Sequence, residues 1–284
     1  MIHYIARLFD KVGKDEEVVD WIRAFASSKE QFAIVKVGGA SLQSNPEEIC
    51  DDLATLFHLD LLVPVIYGWG DALTARLKEH GIQSERHASG VRVTREGDIC
   101  HLKEIANEQA NILVNGLAAR GIPAQGVDAV FAAEKKYLEG VIGDHFTGEL
   151  VDVHLQPIQA CIAKKTMPII PPLGYSPEGI LFNINADTAA QGLVTQMRPQ
   201  KYIILTNTGG VLDREKKIIP RISLSNDYEE LIKGHVVTEG MRLKIEEAKA
   251  AIQEVPTLAV QIASPQNILI ELFTNEGKGT YITK

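Results

Sequence analysis

The stretch from Phe32 to Ser41 constrains the fold of this chain more than any other. It begins with an apolar run that contains one charged residue, Lys36, and such a run is typical of a strand buried on both faces of a parallel sheet. Gly38 and Gly39 follow at once. A glycine turn after a buried strand leaves backbone N–H groups free for an anion, and a lysine near the strand end can reach the same place. On this stretch alone, phosphate binding and a plain structural turn are equally open.

A helix start follows the glycine turn after a short predicted loop. Asn45-Pro46-Glu47-Glu48 supplies an N-cap residue, a proline at the first helical position and, in Glu48, the partner that would close a capping box with Asn45. Strand, glycine turn and helix in this order form the repeating unit of open α/β sheets.

The composition excludes several classes of protein. The chain has 284 residues, 45% of them hydrophobic, which is enough for one large α/β domain or two lobes. Its net charge of -8 argues against a nucleic-acid or anionic-membrane surface, and the sequence predicts neither a signal peptide nor a membrane span. Cys50, Cys100 and Cys161 lack metal-type spacing and are expected to be buried, reduced thiols. The sequence therefore predicts a cytoplasmic protein with no nucleic-acid or membrane partner.

Strands alternate with helices along the chain, which predicts a mostly parallel open sheet sandwiched between helices. The pattern begins again after about residue 178. We therefore predict a helical extension over residues 1–31, one lobe over 32–178 and a second lobe over 179–284. Strands are expected at 61–67, 124–131, 166–170, 179–185, 202–206, 258–263 and 279–283, and helices at 47–58, 71–80, 97–120, 156–164, 187–197 and 240–254.

The extension contains an amphipathic helix. Val18, Trp21, Ile22 and Phe25 share one helical face. Because this helix precedes the first core strand, its apolar face must pack on the outside of the domain or on another subunit, and packing within the chain is the default expectation.

Two groups of residues in the first lobe are candidates for ligand binding. Tyr67-Gly68-Trp69-Gly70 is a second glycine turn after a predicted strand, at the sheet edge where open α/β folds bind their ligands. Arg92 lies in a polar turn, and its planar guanidinium matches a carboxylate. A solvated surface arginine is the commoner situation, so both interpretations stay open for Arg92.

A strand-to-helix junction in the second lobe carries three polar residues in five, Asn183-Ile184-Asn185-Ala186-Asp187. Asp187 is placed to act as the N-cap of the following helix. Asn183 and Asn185 alternate on one face of the predicted strand, where they would suit the amide or carboxylate of a small polar ligand.

Two later segments are candidates for binding phosphate or nucleotide. The turn Thr206-Asn207-Thr208-Gly209-Gly210 follows a predicted strand and could line a nucleotide. Lys244 lies near the positive end of a helix that begins near Gly240, where a lysine is unfavourable unless it meets an anion. A lysine extended into solvent is the alternative.

Taken in order, these motifs resemble those of the amino acid kinase family, most closely its acetylglutamate kinases. The resemblance runs from about residue 30 to the end of the chain. Its specific parts are the N-I-N-A-D run and the late G-M-x-x-K motif. The matching pieces are K-V-G-G-A at 36–40, the glycine turn at 68–70, G-V-R-V-T at 90–94, N-I-N-A-D at 183–187 and G-M-x-x-K at 240–244.

The resemblance implies ATP-dependent phosphorylation of the side-chain carboxylate of N-acetyl-L-glutamate in arginine biosynthesis, with Mg²⁺ arriving on ATP and no metal held by the protein. It makes Lys36, Lys244 and Asp187 the catalytic residues. The substrate-binding residues that it implies are Gly68, Trp69, Gly70, Arg92, Asn183 and Asn185. The nucleotide-binding residues that it implies are Gly38, Gly39, Thr206, Asn207, Gly209, Gly210 and Met241.

Two further stretches resemble the arginine-regulated members of the family. One is the helix before the first strand, which in that branch mediates contacts between subunits. The other is the segment from Glu271 to Thr280, which looks like an arginine-site signature and assigns Glu271, Gly277 and Gly279 to arginine. The resemblance therefore implies inhibition by arginine and a homo-oligomer between a dimer and a hexamer.

One departure from the family pattern concerns Trp69. The second turn is usually His-Gly-Gly-Gly, whereas here it is Tyr67-Gly68-Trp69-Gly70, which is expected to place an indole beside the substrate. Exchanging Trp69 for glycine is then expected to raise activity. The alternative is a catalytically weak or silent, kinase-like regulatory domain that binds arginine or assembles with an acetylglutamate synthase or kinase. A carbamate or aspartate kinase fits Arg92 and the N-I-N-A-D run less well.

Overall fold

The computed structural model describes residues 2–13, 16–27, 32–233, 237 and 239–284. Two helices precede the first strand, α1 (Ile2–Val12) and α2 (Glu16–Ser27). The sequence predicted the second of them and missed the first. Arg7 and Lys11 of α1 both contact the buried carboxylate of Asp52, at 2.8 Å each, so α1 is fixed to the body of the protein by charge.

The first half of the chain alternates strands and helices as predicted. The strands are β1 (Ala33–Val37), β2 (Val65–Tyr67), β3 (Glu85–Arg86), β4 (Arg92–Val93), β5 (Ala124–Gly126), β6 (Phe131–Lys135), β7 (Gly148–Val153), β8 (Met167–Ile170) and β9 (Leu173–Tyr175). The helices are α3 (Gly39–Ser44), α4 (Pro46–His58), α5 (Gly70–Glu79), α6 (Ile99–Ala118) and α7 (Gln156–Ala163).

The second half repeats the alternation. Its strands are β10 (Leu181–Asn183), β11 (Lys201–Leu205), β12 (Arg221–Ser223), β13 (Ala259–Ala263) and β14 (Thr280–Thr283). Its helices are α8 (Ala186–Met197), α9 (Tyr228–Lys233), α10 (Glu239–Glu254) and α11 (Ile268–Phe273).

One eight-stranded sheet runs through both halves, in the order β12-β14-β13-β11-β1-β2-β8-β5. Its neighbours are parallel except for the antiparallel pair β13–β14, so the predicted mostly parallel sheet is confirmed. A four-stranded sheet, β10-β9-β6-β7, and the two-stranded hairpin β3–β4 complete the architecture. The division into an extension and two lobes stays a prediction, because β1 of the first half pairs directly with β11 of the second.

Helices cover both faces of the central sheet, as the apolar run at β1 predicted. Val35 and Val37 point into a first core cluster, which includes residues of α2, α4, α6 and α11. Ile34 points into a second core cluster, which includes residues of α8 and α10. Lys36 is on the Ile34 face of β1, since side chains alternate along a strand. The parallel strands β1, β2 and β11 therefore deliver their carboxyl ends to one edge, beside the start of α8.

The apolar face of α2 packs within the chain. Val18 and Phe25 are buried, and the ring of Phe25 lies 5.6 Å from that of Phe273 in α11. Oligomerisation through this extension stays a prediction. No helix in the described part of the chain combines the length and apolar character needed to cross a bilayer.

Several local predictions were wrong. The loop predicted after Gly39 is the short helix α3, and Asn45 makes no capping hydrogen bond to α4. The side-chain oxygen of Asn45 instead accepts a hydrogen bond of 2.6 Å from Gln266, a residue from the other half of the chain. Cys50 and Cys161 are buried as predicted, but Cys100 is exposed.

Candidate functional site

Two lysines from different halves of the chain meet on one carboxylate. The ammonium of Lys36, on β1, lies 2.6 Å from Oδ1 of Asp187, and that of Lys244, on α10, lies 3.3 Å from Oδ2. Lys36 and Asp187 are buried, and Lys244 is partly exposed. The structure thus brings together the three residues that the sequence predicted to be catalytic.

The pKa values of Lys36 and Asp187 are shifted by burial and by the neighbouring charges. Burial opposes ionisation of Asp187, but the two ammonium groups outweigh it and hold the pKa of this carboxyl below its ordinary value. Burial lowers the pKa of Lys36, with the charge of Asp187 opposing the shift and that of Lys244 adding to it. Two cations share one anion here, so the cluster favours a further anionic group.

The cluster lies in a cleft with a volume of about 490 Å³. The cleft is formed where β1, β2, β10 and β11 end and where the hairpin β3–β4 approaches them. Most of the residues that the sequence assigned to substrate or nucleotide line it. Its lining includes Lys36, Gly38, Gly39, Gly68, Trp69, Gly70, Arg92, Asn183, Asn185, Asp187, Thr206, Asn207 and Lys244.

The two glycine turns pack directly against each other. A Cβ atom on Gly39 would lie 2.8 Å from the carbonyl oxygen of Gly68, so this approach requires glycine at position 39. The N–H groups of Gly38 and Gly68 donate to Leu205 and Val37 and are therefore taken up by the sheet. Of the four predicted phosphate donors, only Gly39 and Gly70, at the starts of α3 and α5, keep N–H groups that the sheet does not use.

Arg92 is a buried residue of the cleft wall and not a solvated surface arginine. Its guanidinium donates to the carbonyl of Gly70 at 2.7 Å, to Oγ1 of Thr74 at 2.6 Å and to Oγ of Ser84. Burial lowers its pKa, and the nearby charge of Arg86 lowers it further. Arg92 thereby ties the hairpin β3–β4 to the start of α5.

The two asparagines of the N-I-N-A-D run have different positions. Asn183 ends β10, is buried, and donates 2.8 Å to Oγ1 of Thr94. Asn185 lies beyond the strand and caps α8, accepting from the N–H of Asp187 at 2.8 Å and of Thr188 at 3.4 Å. The prediction that Asp187 is the N-cap was therefore wrong, as was the prediction that both asparagines share a strand face. Because Asn185 caps the helix, the Asp187 carboxylate is available to the lysines.

Trp69 does not fill the cleft with its indole. The residue is 4% exposed, belongs to the first core cluster, and its ring stands edge-on to Tyr67 with centroids 5.8 Å apart. Its φ of -141° is negative, so the backbone at this position does not require glycine. Trp69 borders the cleft, but this packing places its indole in the core, so the structure lends no support to the expected obstruction or to a gain in activity on exchange for glycine.

The predicted nucleotide residues divide into two groups. Thr206 and Asn207 line the cleft at the end of β11. Gly209 and Gly210 continue the same turn but are absent from the lining, and a Cβ on Gly210 would lie 2.8 Å from Ile218. Met241 is buried in the second core cluster. The structure therefore does not bring these last three residues to the cleft.

The predicted arginine-site residues form a compact unit around the carboxylate of Glu271. Oε1 of the buried Glu271 accepts from the N–H groups of Lys278 and Gly279, at 2.8 and 2.9 Å, while Oε2 is buried and has no hydrogen-bond partner among the described residues. A Cβ on Gly277, whose φ is +58°, would overlap this carboxylate. Burial raises the pKa of Glu271, and the two N–H groups oppose the shift.

Sequence reasoning missed Lys201, which anchors this unit. Its buried ammonium donates 2.6 Å to the carbonyl of Glu271, contacts that of Thr274, and lies 4.1 Å from the ring centre of Trp21. Burial lowers its pKa to about 7. The signal was a lysine at the start of an otherwise apolar strand. Together with Asn275 and Tyr281, Lys201 and Trp21 line a second cavity of about 250 Å³.

The cleft does not form a protein cage for a metal ion. In the described residues, no three carboxylate, imidazole or thiol groups come together as metal ligands. Asp187 is already engaged by two ammonium groups.

Comparison with known proteins identifies what the chain is similar to. A family model described as the amino acid kinase family matches residues 31–263. The acetylglutamate kinase of Xanthomonas campestris pv. campestris is 35% identical over 276 residues, which cover 95% of this chain and 63% of that protein. The acetylglutamate kinase of Desulforamulus reducens is 32% identical over 285 residues, covering 96% and 97%. The chain thus spans less than two thirds of the length of the first of these relatives.

Solved structures share the fold. An N-acetylglutamate synthase from Neisseria gonorrhoeae, complexed with coenzyme A and L-arginine, superposes with a TM-score of 0.82 at 20% identity, covering 94% of this chain and 64% of that one. A Giardia carbamate kinase gives 0.63 at 15% identity, covering 89% and 99%. At these identities the likeness concerns the fold alone.

Proposed function

Because this chain belongs to the amino acid kinase family, we propose that it phosphorylates the side-chain carboxylate of N-acetyl-L-glutamate with ATP, a step of arginine biosynthesis. The observation that carries the proposal is the meeting of Lys36 and Lys244 on Asp187 inside the cleft. The activity is the one named for the curated relatives from Xanthomonas campestris and Desulforamulus reducens.

The reaction needs charge and position more than proton transfer. A side-chain carboxylate with an ordinary pKa of about 4.3 is ionised at pH 7, so the acceptor needs no general base. The difficulty is to bring two anions together and to stabilise the charge that spreads over the phosphoryl oxygens in flight. Lys36 and Lys244 supply two positive charges from opposite sides of the cleft. Asp187 holds both ammonium groups in place before the substrate arrives.

The substrates are assigned to opposite sides of the lysine cluster. MgATP lies toward Thr206 and Asn207, with its transferring phosphoryl group near the N–H groups of Gly39 and Gly70. N-acetylglutamate lies toward the hairpin β3–β4, where Arg92 faces its α-carboxylate and Asn183 its acetylamino group. Gly209, Gly210 and Met241 act on the nucleotide only by shaping the turn and core behind Thr206.

Arginine is proposed as an inhibitor that binds around Lys201 and Glu271. The second cavity presents the ring of Trp21 and the amide of Asn275 next to the loop that Gly277 and Gly279 shape. The buried Oε2 of Glu271, which has no hydrogen-bond partner in the part of the chain that the structure describes, is an acceptor suited to a guanidinium once this loop opens. We further propose a cytoplasmic homo-oligomer in which the N-terminal helices transmit the effect of arginine.

A hydroxamate-trapping assay tests the proposal directly. Hydroxylamine converts an acyl phosphate into a hydroxamate, which gives a coloured complex with Fe³⁺. We expect this product from the wild type with ATP, Mg²⁺ and N-acetylglutamate and not when any of them is omitted. Absence of hydroxamate at any acceptor concentration, together with thermal stabilisation by arginine, would favour the regulatory domain instead.

A further inference from the structure

Thr147 is a buried residue behind the wall of the cleft, next to the two residues assigned to the acceptor. Among the described residues, the lining of the cleft includes Arg92 and Asn183 but neither Thr147 nor Thr94. Thr147 is 1% exposed, and Thr94 is fully buried. Burying a hydroxyl costs free energy unless it is hydrogen-bonded. A threonine at position 147 therefore needs partners that a valine of the same shape would not.

The hydroxyl of Thr147 holds strand β4 with two hydrogen bonds. It donates to the carbonyl of Arg92 at 3.0 Å and accepts from the N–H of Thr94 at 2.9 Å. In a parallel ladder, a residue of the neighbouring strand makes two such bonds through its own N–H and C=O groups. Since a hydroxyl is both a donor and an acceptor, this single oxygen replaces a strand residue on that side of β4.

The backbone beside Thr147 extends this connection to Asn183. The N–H of Phe146 donates to the carbonyl of Thr94 at 2.7 Å, and the carbonyl of Phe146 accepts from the N–H of Asn183 at 2.8 Å. The side-chain amide of Asn183 returns to β4 and donates to Oγ1 of Thr94 at 2.8 Å. The segment 146–147 therefore lies between β4 and the end of β10, and it sets the distance between Arg92 and Asn183.

The hairpin β3–β4 needs such support because it forms a two-stranded sheet of its own. Each of its strands is two residues long, and an isolated two-stranded hairpin is marginally stable at best. The guanidinium of Arg92 fixes the hairpin to Gly70 and Thr74 at the start of α5. Thr147 fixes the backbone of β4 to the segment that contacts Asn183.

We infer that Thr147 is a positioning residue for the acceptor, whose hydroxyl holds β4 at the distance from Asn183 that lets Arg92 and Asn183 contact the same molecule. This role rests on the proposed function, which places the α-carboxylate of N-acetylglutamate at Arg92 and its acetylamino group at Asn183. Because Thr147 lies behind the cleft wall and acts through these two residues, its loss should weaken acceptor binding and leave phosphoryl transfer and ATP binding nearly unchanged.

The test removes the hydroxyl and keeps the shape of the side chain. T147V leaves the carbonyl of Arg92 and the N–H of Thr94 without this partner, whereas T147S retains the hydroxyl and loses only a methyl group. T55V is the matched control, because Thr55 is also fully buried and its hydroxyl donates to the carbonyl of Asp51 within α4, at 2.9 Å. Binding of N-acetylglutamate is measured by calorimetry without ATP, turnover by hydroxamate formation, and stability by urea denaturation.

We expect T147V to bind N-acetylglutamate about tenfold more weakly, the scale of a lost buried hydrogen bond. The KM for N-acetylglutamate should rise with it, while kcat and the KM for ATP should stay close to the wild-type values. T147S should recover most of the affinity, and T147C, whose thiol bonds more weakly, should lie between the two. T55V should lose stability and bind the acceptor as the wild type does. Hydrogen exchange of residues 85–94, followed by mass spectrometry, should be faster in T147V than in T147S.

The outcomes separate the role of Thr147 from the proposed function. If the wild type forms the acyl phosphate and T147V binds N-acetylglutamate as tightly as the wild type, the positioning role is wrong and the function stands. If T147V weakens N-acetylglutamate and ATP equally, or if T147S is as impaired as T147V, the hydroxyl does not position the acceptor and the role is again wrong. A wild type that neither binds N-acetylglutamate nor forms the acyl phosphate overturns both.

Discussion

Lys36 and Asp187 form a buried ion pair, 2.6 Å from Nζ to Oδ1, between a strand of the first half of the chain and a helix of the second. Removing one partner of a buried pair leaves the other charge uncompensated, which typically destabilises a protein by about 3–5 kcal/mol. Here Lys244 shares the carboxylate, so loss of Asp187 would leave two ammonium groups to repel each other.

Replacing Asp187 by asparagine should abolish most of the activity. In D187N the lysines lose the group that holds them, and we expect kcat to fall by about 10²–10³, the usual effect of removing one preorganised charge. The KM for ATP should change much less, because the phosphates themselves attract both lysines. D152N, at an exposed carboxylate on β7, is the control and should behave as the wild type. A kcat within threefold of the wild type in D187N would contradict the role of the cluster.

Replacing Trp69 by glycine should destabilise the protein without opening the active site. The ring is buried against Tyr67 and the first core cluster, so W69G leaves a cavity that should lower the free energy of unfolding by about 3–5 kcal/mol. W69F keeps most of the packing and should lose less. Urea denaturation measures both. If W69G were as stable as the wild type and more active, the indole would obstruct the cleft after all.

The three residues of the lysine cluster could be predicted from the sequence because each has a local signature. Lys36 interrupts an apolar strand, Asp187 opens a helix, and Lys244 lies near the positive end of another helix. Each of these features marks the end of an element, and parallel strands bring their carboxyl ends to one edge. The order of the strands in the sheet, which the sequence alone does not show, then brings the three side chains into contact.

Other features could not be predicted because distant residues decide them. Asn185 and Asp187 are both good N-cap residues, and only the place where α8 begins selects Asn185. Asn45 begins a capping-box sequence, yet its side-chain oxygen accepts a hydrogen bond from Gln266. Lys201 finds its acceptors at the end of α11, some seventy positions later in the chain. None of these partners is visible within a local window.

Replacing Gly277 by alanine should displace the Glu271 carboxylate. The new Cβ would overlap Oε2 of Glu271, whose other oxygen would then lose the N–H groups of Lys278 and Gly279. G140A is the matched control, because Gly140 also has a positive φ, +76°, but an added Cβ there would lie within 4 Å of none of the described residues. We expect G277A to be less stable than G140A by about 2 kcal/mol, the scale of one or two lost hydrogen bonds to a charged group.

Thermal and chemical denaturation compare the two glycine variants, and an arginine titration is added to each. G140A should keep the arginine-induced rise in melting temperature, and G277A should lose it. Equal stabilities of the two variants would mean that the loop moves freely away from Glu271.

The pH dependence of stability should report on Lys201. Its pKa of about 7 in the folded protein lies below its ordinary 10.5, so between these values the unfolded chain binds more protons than the folded one. The free energy of unfolding should therefore rise with pH above about 7, and this contribution amounts to about 2 kcal/mol between pH 7 and 9. Below pH 6 the lysine is protonated in both states and contributes no slope.

The comparison that isolates Lys201 is with K201M, measured by denaturant titration from pH 6 to pH 9. The variant leaves the carbonyls of Glu271 and Thr274 without their donor and should be less stable at every pH, but its stability should lack the rise above pH 7. K164M removes an exposed lysine and should follow the wild-type profile. If the difference between the wild type and K201M stayed constant from pH 6 to pH 9, the ammonium of Lys201 would not lose its proton in this range. The contacts of the ammonium with the Trp21 ring and with the two carbonyls would then keep Lys201 charged over this pH range.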